Sequence, residues 1–210
     1  MSRQSHHVLD PLPTGTGSLA SVDPDTDSRM QLGFWLYLMT DCLLFASLFA
    51  TFMVLRGNTA GGVSISDITQ LSYVFAETLI LLFSSLMCGL GLLKARAGDV
   101  RWALRYFVFA GILGATFLGM ELYEFSHLVQ EGHSWTKSAF LSSYFGLVGT
   151  HGLHIVVGLV WLIATVVFMA RRGVTDRLLQ RLTMFTLFWH FLDIVWVCIF
   201  TLVYLAGVAG

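Results

Sequence analysis

Long apolar runs alternate with short polar breaks along this chain, and five of the runs reach the roughly 20 mostly apolar residues that a membrane-spanning helix requires. They cover residues 30–55, 71–93, 102–125, 139–170 and 182–206. No break between them is long enough for a soluble domain. The pattern therefore predicts an all-α integral membrane protein, a bundle of five transmembrane helices within residues 30–210. Residues 1–29 are polar and hold Pro11, Pro13 and Pro24, every proline of the chain. Having no apolar stretch, this segment is not a secretory signal peptide and reads as a flexible tail. Gly57 to Gly62 form a turn-rich loop between the first two helices. The fourth run exceeds the minimum span, so it tilts or projects beyond the bilayer. No internal repeat is evident, and five helices do not divide into the equal halves of many transporters.

The polar residues inside these runs carry the interest. Between Ala139 and Ala170 there is no Asp, Glu, Lys or Arg, yet His151 and His154 sit there. Ionisable groups at membrane depth are costly and mark functional or bundle-facing positions. Three residues apart, the two imidazoles share one side of a helix. Gly149, Gly152 and Gly158 leave the same helix bare, which allows another backbone to approach. In the last run His190 and Asp193 form a second pair at the same spacing, expected to fix helix five against helix four. Asp41 is the lone acid of the first run, a structural bond to helix two, to a lipid or to a partner, or else a proton-carrying group. An unpaired carboxyl group in hydrocarbon favours its neutral, hydrogen-bond-donating form. Glu77 lies in the second run. Glu121, Glu124 and His127 recur every three residues near the end of the third and read as a partly solvated interfacial face.

Lys and Arg set the orientation. Arg3, Arg29, Lys94, Arg96, Arg101, Arg105, Arg171, Arg172, Arg177 and Arg181 fall on one side of the predicted topology, and only Arg56 and Lys137 on the other. The positive-inside rule then places the N-terminus in the cytoplasm and the C-terminus in the periplasm. At about 1.5 Å of rise per residue, Asp41, His151, His154, His190 and Asp193 come to a central layer. Glu77, Glu121, Glu124 and His127 come to an outer one.

Composition narrows the class further. Of 210 residues 56% are hydrophobic and 12% charged, against about 25% charged in soluble domains. The net charge of −1 gives no reason to expect nucleic acid as a partner. Cys42, Cys88 and Cys198 lie in apolar runs without a CxxC pair, so they read as small packing residues. Trp35, Trp102, Trp135 and Trp161 near run ends read as interface anchors, and Trp189 and Trp196 as packing against other helices.

Three readings of the buried polar groups stand beside one another. His151 and His154 share a face and cannot sandwich one haem iron, although His190 could supply a partner from helix five, which would make a haem-binding membrane enzyme. No HExxH or CxxC supports a metal site. Asp41, Glu77 and the outer acids could serve a stand-alone proton or ion carrier. The third reading is inter-helix hydrogen bonding, worth about 0.6 kcal/mol per bond in membranes.

Two segments bring in a family. Thr150-His151-Gly152-Leu153-His154 with Gly158, and Trp189-His190-Phe191-Leu192-Asp193 with Trp196, resemble the hallmark segments of subunit III of haem–copper terminal oxidases. Glu121-Leu122-Tyr123-Glu124 resembles that family's paired-acid segment. The resemblance runs from Gln31 to Gly207. Five helices rather than seven, and Asp41 in Met39-Thr40-Asp41-Cys42 at the family's lipid-cleft Glu position, resemble the shorter form typical of bacterial cytochrome o-type ubiquinol oxidases. The resemblance implies a non-catalytic subunit with no catalytic, cofactor or metal residue of its own. Haem and copper would reside in a partner catalytic subunit I, in the bacterial inner membrane. Subunit III would pack on that subunit, hold phospholipids in a cleft between its helix groups, with helices one and two apart from three to five, and support proton uptake. Asp41, Glu77, Glu121, Glu124, His151, His154, His190 and Asp193 are then inter-helix or lipid-cleft groups.

Overall fold

A computed structural model describes residues 24–55, 71–130 and 139–205, with the side chains of the first helix described from Arg29 onward. The Gly57 to Gly62 loop, Trp135, Lys137 and most of the polar N-terminal segment lie outside the described residues. All regular structure in them is helical: α1 Pro24–Leu55, α2 Leu71–Arg96, α3 Val100–Gln130, α4 Ala139–Arg172 and α5 Asp176–Ile199, which runs on into a π-helix, Phe200–Leu205. Five of these helices are long and apolar enough to cross a membrane.

All five helices run further than hydrophobicity suggested, because the turns that extend them are polar. The α1 helix begins at Pro24, a residue suited to a first turn. Helix α5 begins at Asp176 rather than Leu182, since Thr175 caps it, its side chain accepting from Leu178 N at 3.3 Å, and Asp176 complements the helix dipole. The α2–α3 and α4–α5 links are consequently tight. Each turns on a glycine in the left-handed region, Gly98 at φ 82° and Gly173 at φ 71°, as helix C-termini commonly do.

Helix α3 packs closely along α2, while α5 lies against α2, α4 and, more lightly, α1. Half of the α5 apolar window is buried, against 22% of that of α1. The first helix lies mainly on α4, antiparallel to it: Phe34 meets Trp161, and Phe52 meets Phe140. It makes no comparable contact with α2. The expected division of helices one and two from three to five is therefore corrected. Helix α2 belongs with α3 and α5, and α1 alone stands at the edge. The short connection between α1 and α2 suggested a hairpin, but polar side chains on α2 have their partners on α3 and α5.

Every Lys and Arg among the described residues lies near one end of the bundle: Arg29, Lys94, Arg96, Arg101, Arg105, Arg171, Arg172, Arg177 and Arg181. The Arg105 guanidinium lies over the Trp102 ring, 4.9 Å from its centroid, a cation–π contact. Trp35 and Trp102 are exposed, whereas Trp161 packs edge-on to Phe185 and tilted on Phe188. That corrects its reading as an interface anchor. Of the cysteines, Cys88 is buried but Cys42 and Cys198 are exposed, so the latter two are not core packing residues.

Candidate functional site

The buried polar groups fall into three separate places. The first joins α1 to α4. Asp41 is buried, and its Oδ2 lies 3.5 Å from His154 Nε2. His154 Nδ1 is 2.7 Å from the Thr150 carbonyl one turn back. A carbonyl only accepts, so Nδ1 carries a proton, and the Asp41–Nε2 contact is either neutral-acid-to-imidazole or carboxylate-to-imidazolium. Tyr37, one turn before Asp41, faces the same carboxyl. Asp41 therefore reaches helix four rather than helix two.

The second place is the α2–α5 seam. Trp189 Nε1 donates to Ser84 Oγ at 3.1 Å, and Ser84 donates to the Ala110 carbonyl of α3 at 2.8 Å. Trp196 Nε1 donates to Thr78 Oγ1 at 3.1 Å, and Thr78 donates to the Val74 carbonyl at 2.9 Å. Ser85 Oγ is bonded to His190 Nδ1, and the Asp193 carboxyl faces the same hydroxyl. Cys88 Sγ lies 3.6 Å from Thr186 Oγ1. The His190–Asp193 pair thus holds α5 to α2, which corrects the expectation that it fixed helix five to helix four. The hydroxyls that decide this, Thr78 and Ser85 seven residues apart with Ser84 beside them, line one side of α2. Their spacing was the signal in the sequence, but it does not say which helix they meet.

The glycines serve side chains more than backbones. A Cβ at Gly114 or Gly158 would stand 2.7 Å and 2.8 Å from the Trp189 indole. The ring is therefore wedged between α3 and α4 while its N–H reaches α2. A Cβ at Gly152 would stand 2.7 Å from Glu121 Oε1, whereas one at Gly149 would meet Phe125 only at an ordinary 3.7 Å. His151 and His154 both pack against the Phe45 ring, but only His154 reaches Asp41. His151 is fully buried, stacks on Trp196 with centroids 5.2 Å apart, and neither ring nitrogen has a hydrogen-bond partner. The expected hydrogen bond at His151 is replaced by ring packing among Trp196, Phe117 and Phe45.

The third place lies towards the end of the bundle away from the arginines and comprises Glu77 of α2 with Glu121 and Glu124 of α3. Their charges are near enough to act on one another. Tyr144 of α4 donates to Glu124 Oε1 at 3.3 Å, and its hydroxyl is 2.8 Å from that of Tyr204 in the π-helix. Since Tyr144 has one proton to give, Tyr204 donates to Tyr144. Glu121 is 2% exposed, which removes it from the solvated interfacial face expected for Glu121, Glu124 and His127, and Glu77 beside it is 0% exposed. Only Glu124, half-buried, and His127, exposed, approach the surface. Sequence reasoning missed the two tyrosines, which come from elements 60 residues apart.

Among the described residues no group of three or more His, Cys, Asp or Glu is placed to hold a metal ion. The arrangement is that of a multi-pass helical membrane protein in which Asp41, His190 and Glu124 each meet a side chain of another helix. Residues 21–208 match the family model described as cytochrome c oxidase subunit III, and the chain belongs to that family. It is 50% identical over 184 residues, 88% of this chain and 89% of the other, to "Cytochrome bo(3) ubiquinol oxidase subunit 3" of Pseudomonas putida. It is 51% identical over 183 residues, 87% of this chain and 88% of the other, to the protein of the same name in Pseudomonas aeruginosa. A Bacillus sp. protein named "Cytochrome c oxidase subunit 3" is 44% identical over 85% of this chain and 86% of its own.

Proposed function

We infer that this chain is the third subunit of a bacterial, proton-pumping cytochrome o-type ubiquinol oxidase, embedded in the inner membrane with its arginine-rich end in the cytoplasm. The observation that carries the reading is about 50% identity, along nearly the full length of both chains, with proteins named as that subunit. In this reading the subunit is non-catalytic. Quinol oxidation and oxygen reduction take place at haem and copper in catalytic subunit I. This chain fastens to subunit I and the other oxidase subunits, stabilises them and supports sustained proton uptake. Phospholipid would occupy the side where α1 stands apart from α2, a face rich in exposed Leu and Met from Leu32 to Met53. The paired Asp41 and His154 would anchor α1 to the rest at that margin.

Isolation in mild detergent tests this directly. The chain is expected to co-purify with a haem–copper subunit and, when separated from it, to show no Soret band. A Soret band from the isolated chain would favour a haem enzyme instead, and proton leak through liposomes containing only this chain would favour a stand-alone carrier. Asp41→Asn is expected to leave the haem spectra of the complex unchanged and to shorten its active lifetime more than its initial rate. Complete loss of initial oxygen consumption in a normally assembled complex would contradict the supporting role.

A further inference from the structure

We propose that Glu77, Glu121 and Glu124, closed over by Tyr144 and Tyr204, form a proton-holding site in which the three carboxyls retain at least two protons between them and exchange with the surface through Glu124. The site is independent of the oxidase reading above, since it rests only on geometry within this chain.

Four elements converge here. Glu77 comes from the second turn of α2, Glu121 and Glu124 from late α3, Tyr144 from the second turn of α4 and Tyr204 from the π-helix. All four oxygens of Glu77 and Glu121 lack a hydrogen-bond partner although both side chains are enclosed. Gly152 gives Glu121 its seat: any side chain there would collide with the carboxyl, since a Cβ would lie 2.7 Å from Oε1 and 3.1 Å from Oε2. The backbone also departs from α-helical geometry where Tyr204 is presented, and such π segments are frequent at functional sites.

Among the described residues no Lys or Arg stands at this end of the bundle, and protons are the neutralising species proposed. From α2 the facing titratable groups are Tyr73, which donates to the Met120 carbonyl at 3.2 Å, and Glu77 itself. From α3 they are Tyr123 and Glu124, with His127 exposed against the Tyr123 ring. Helix α4 supplies Tyr144 and His151, whose ring nitrogens are unbonded, and the π-helix supplies Tyr204. Helix α1 has no titratable side chain from Phe45 to Leu55. Every described Lys and Arg lies near the opposite end of the bundle. With no Lys or Arg beside them among the described residues, three enclosed carboxylates would meet both desolvation and mutual repulsion, which keeping protons relieves. No bond to carbon changes; protons move between carboxyl oxygens and water, and the Tyr204-to-Tyr144-to-Glu124 string orients the half-buried acid as the point of exchange.

Infrared spectra of the whole purified complex in H2O and D2O at neutral pH test this. Carboxylic-acid C=O bands, sensitive to deuteration, are expected to be lost singly in Glu77→Gln and in Glu121→Gln. In Glu124→Gln the remaining acid bands should persist but exchange with D2O at least tenfold more slowly. Loss of carboxylate rather than acid bands in the first two variants overturns the proposal, as does unchanged exchange in the third. Tyr144→Phe keeps all three carboxyls and should shift the Glu124 carboxyl band without removing it. An unmoved spectrum there overturns the proposal even if a Gln variant fails to assemble.

Discussion

Helices α1 and α5 look alike by hydropathy, with apolar windows averaging 2.0 and 1.9, yet they occupy opposite roles. Helix α5 is half enclosed and reaches α2 through two indole N–H groups, a histidine and a buried cysteine–threonine contact. Helix α1 meets the bundle along one edge and contributes a single buried ionisable pair, Asp41 with His154. Lipid tails are as apolar as leucine, so hydrophobicity cannot tell a central helix from a peripheral one in a membrane. The distinction lies in shape and in hydrogen bonds: small residues that admit a large ring, and hydroxyls that accept its N–H.

Trp189→Ala offers the strongest way to break this comparison. It vacates a fully buried ring that touches α3 and α4 and bonds to α2, and by analogy with core truncations should cost about 3–5 kcal/mol. Thermal denaturation of the purified complex followed by loss of haem absorbance checks this, and a variant as stable as one in α1 would erase the distinction. Gly152→Ala should come next, at about 1–3 kcal/mol from overpacking against the Glu121 carboxyl, read by the same assay. Trp196→Phe keeps the stack on His151 but loses the bond to Thr78, for about 1 kcal/mol. On the α1 side, a double-mutant cycle of Asp41→Asn with His154→Gln should return a coupling near 0.6 kcal/mol. A coupling above that of the α5 contacts would make α1 the better-anchored helix. Cys42→Ser, on the exposed face of α1, should stay within about 0.5 kcal/mol.

Much of the candidate site was legible because an ionisable residue inside an apolar run is visible without coordinates. Asp41, Glu77, Glu121, Glu124, His151, His154, His190 and Asp193 were all picked out this way, and the structure buries or half-buries every one. Their pairings were not legible. Depth along a helix follows from counting residues, but the direction around it at which a neighbour stands does not. His190 and Asp193 were therefore assigned to the wrong adjoining helix, and Tyr144 and Tyr204 were passed over as ordinary aromatics. Gly158 was read as room for a backbone because small residues favour close helices; the occupant is instead the Trp189 indole.

Read alone, the residues determined that this is a five-helix membrane protein, which side carries its positive charge, and the family its motifs resemble. Each of those follows from composition and order, which lipid and water sort without reference to any partner. Only the tertiary structure decided that α1 stands at the edge, that α5 is bonded to α2, and that three glutamates on two helices come together beneath two tyrosines. Those outcomes depend on which faces interlock, and interlocking is set by the fit of particular side chains across helices far apart in the chain.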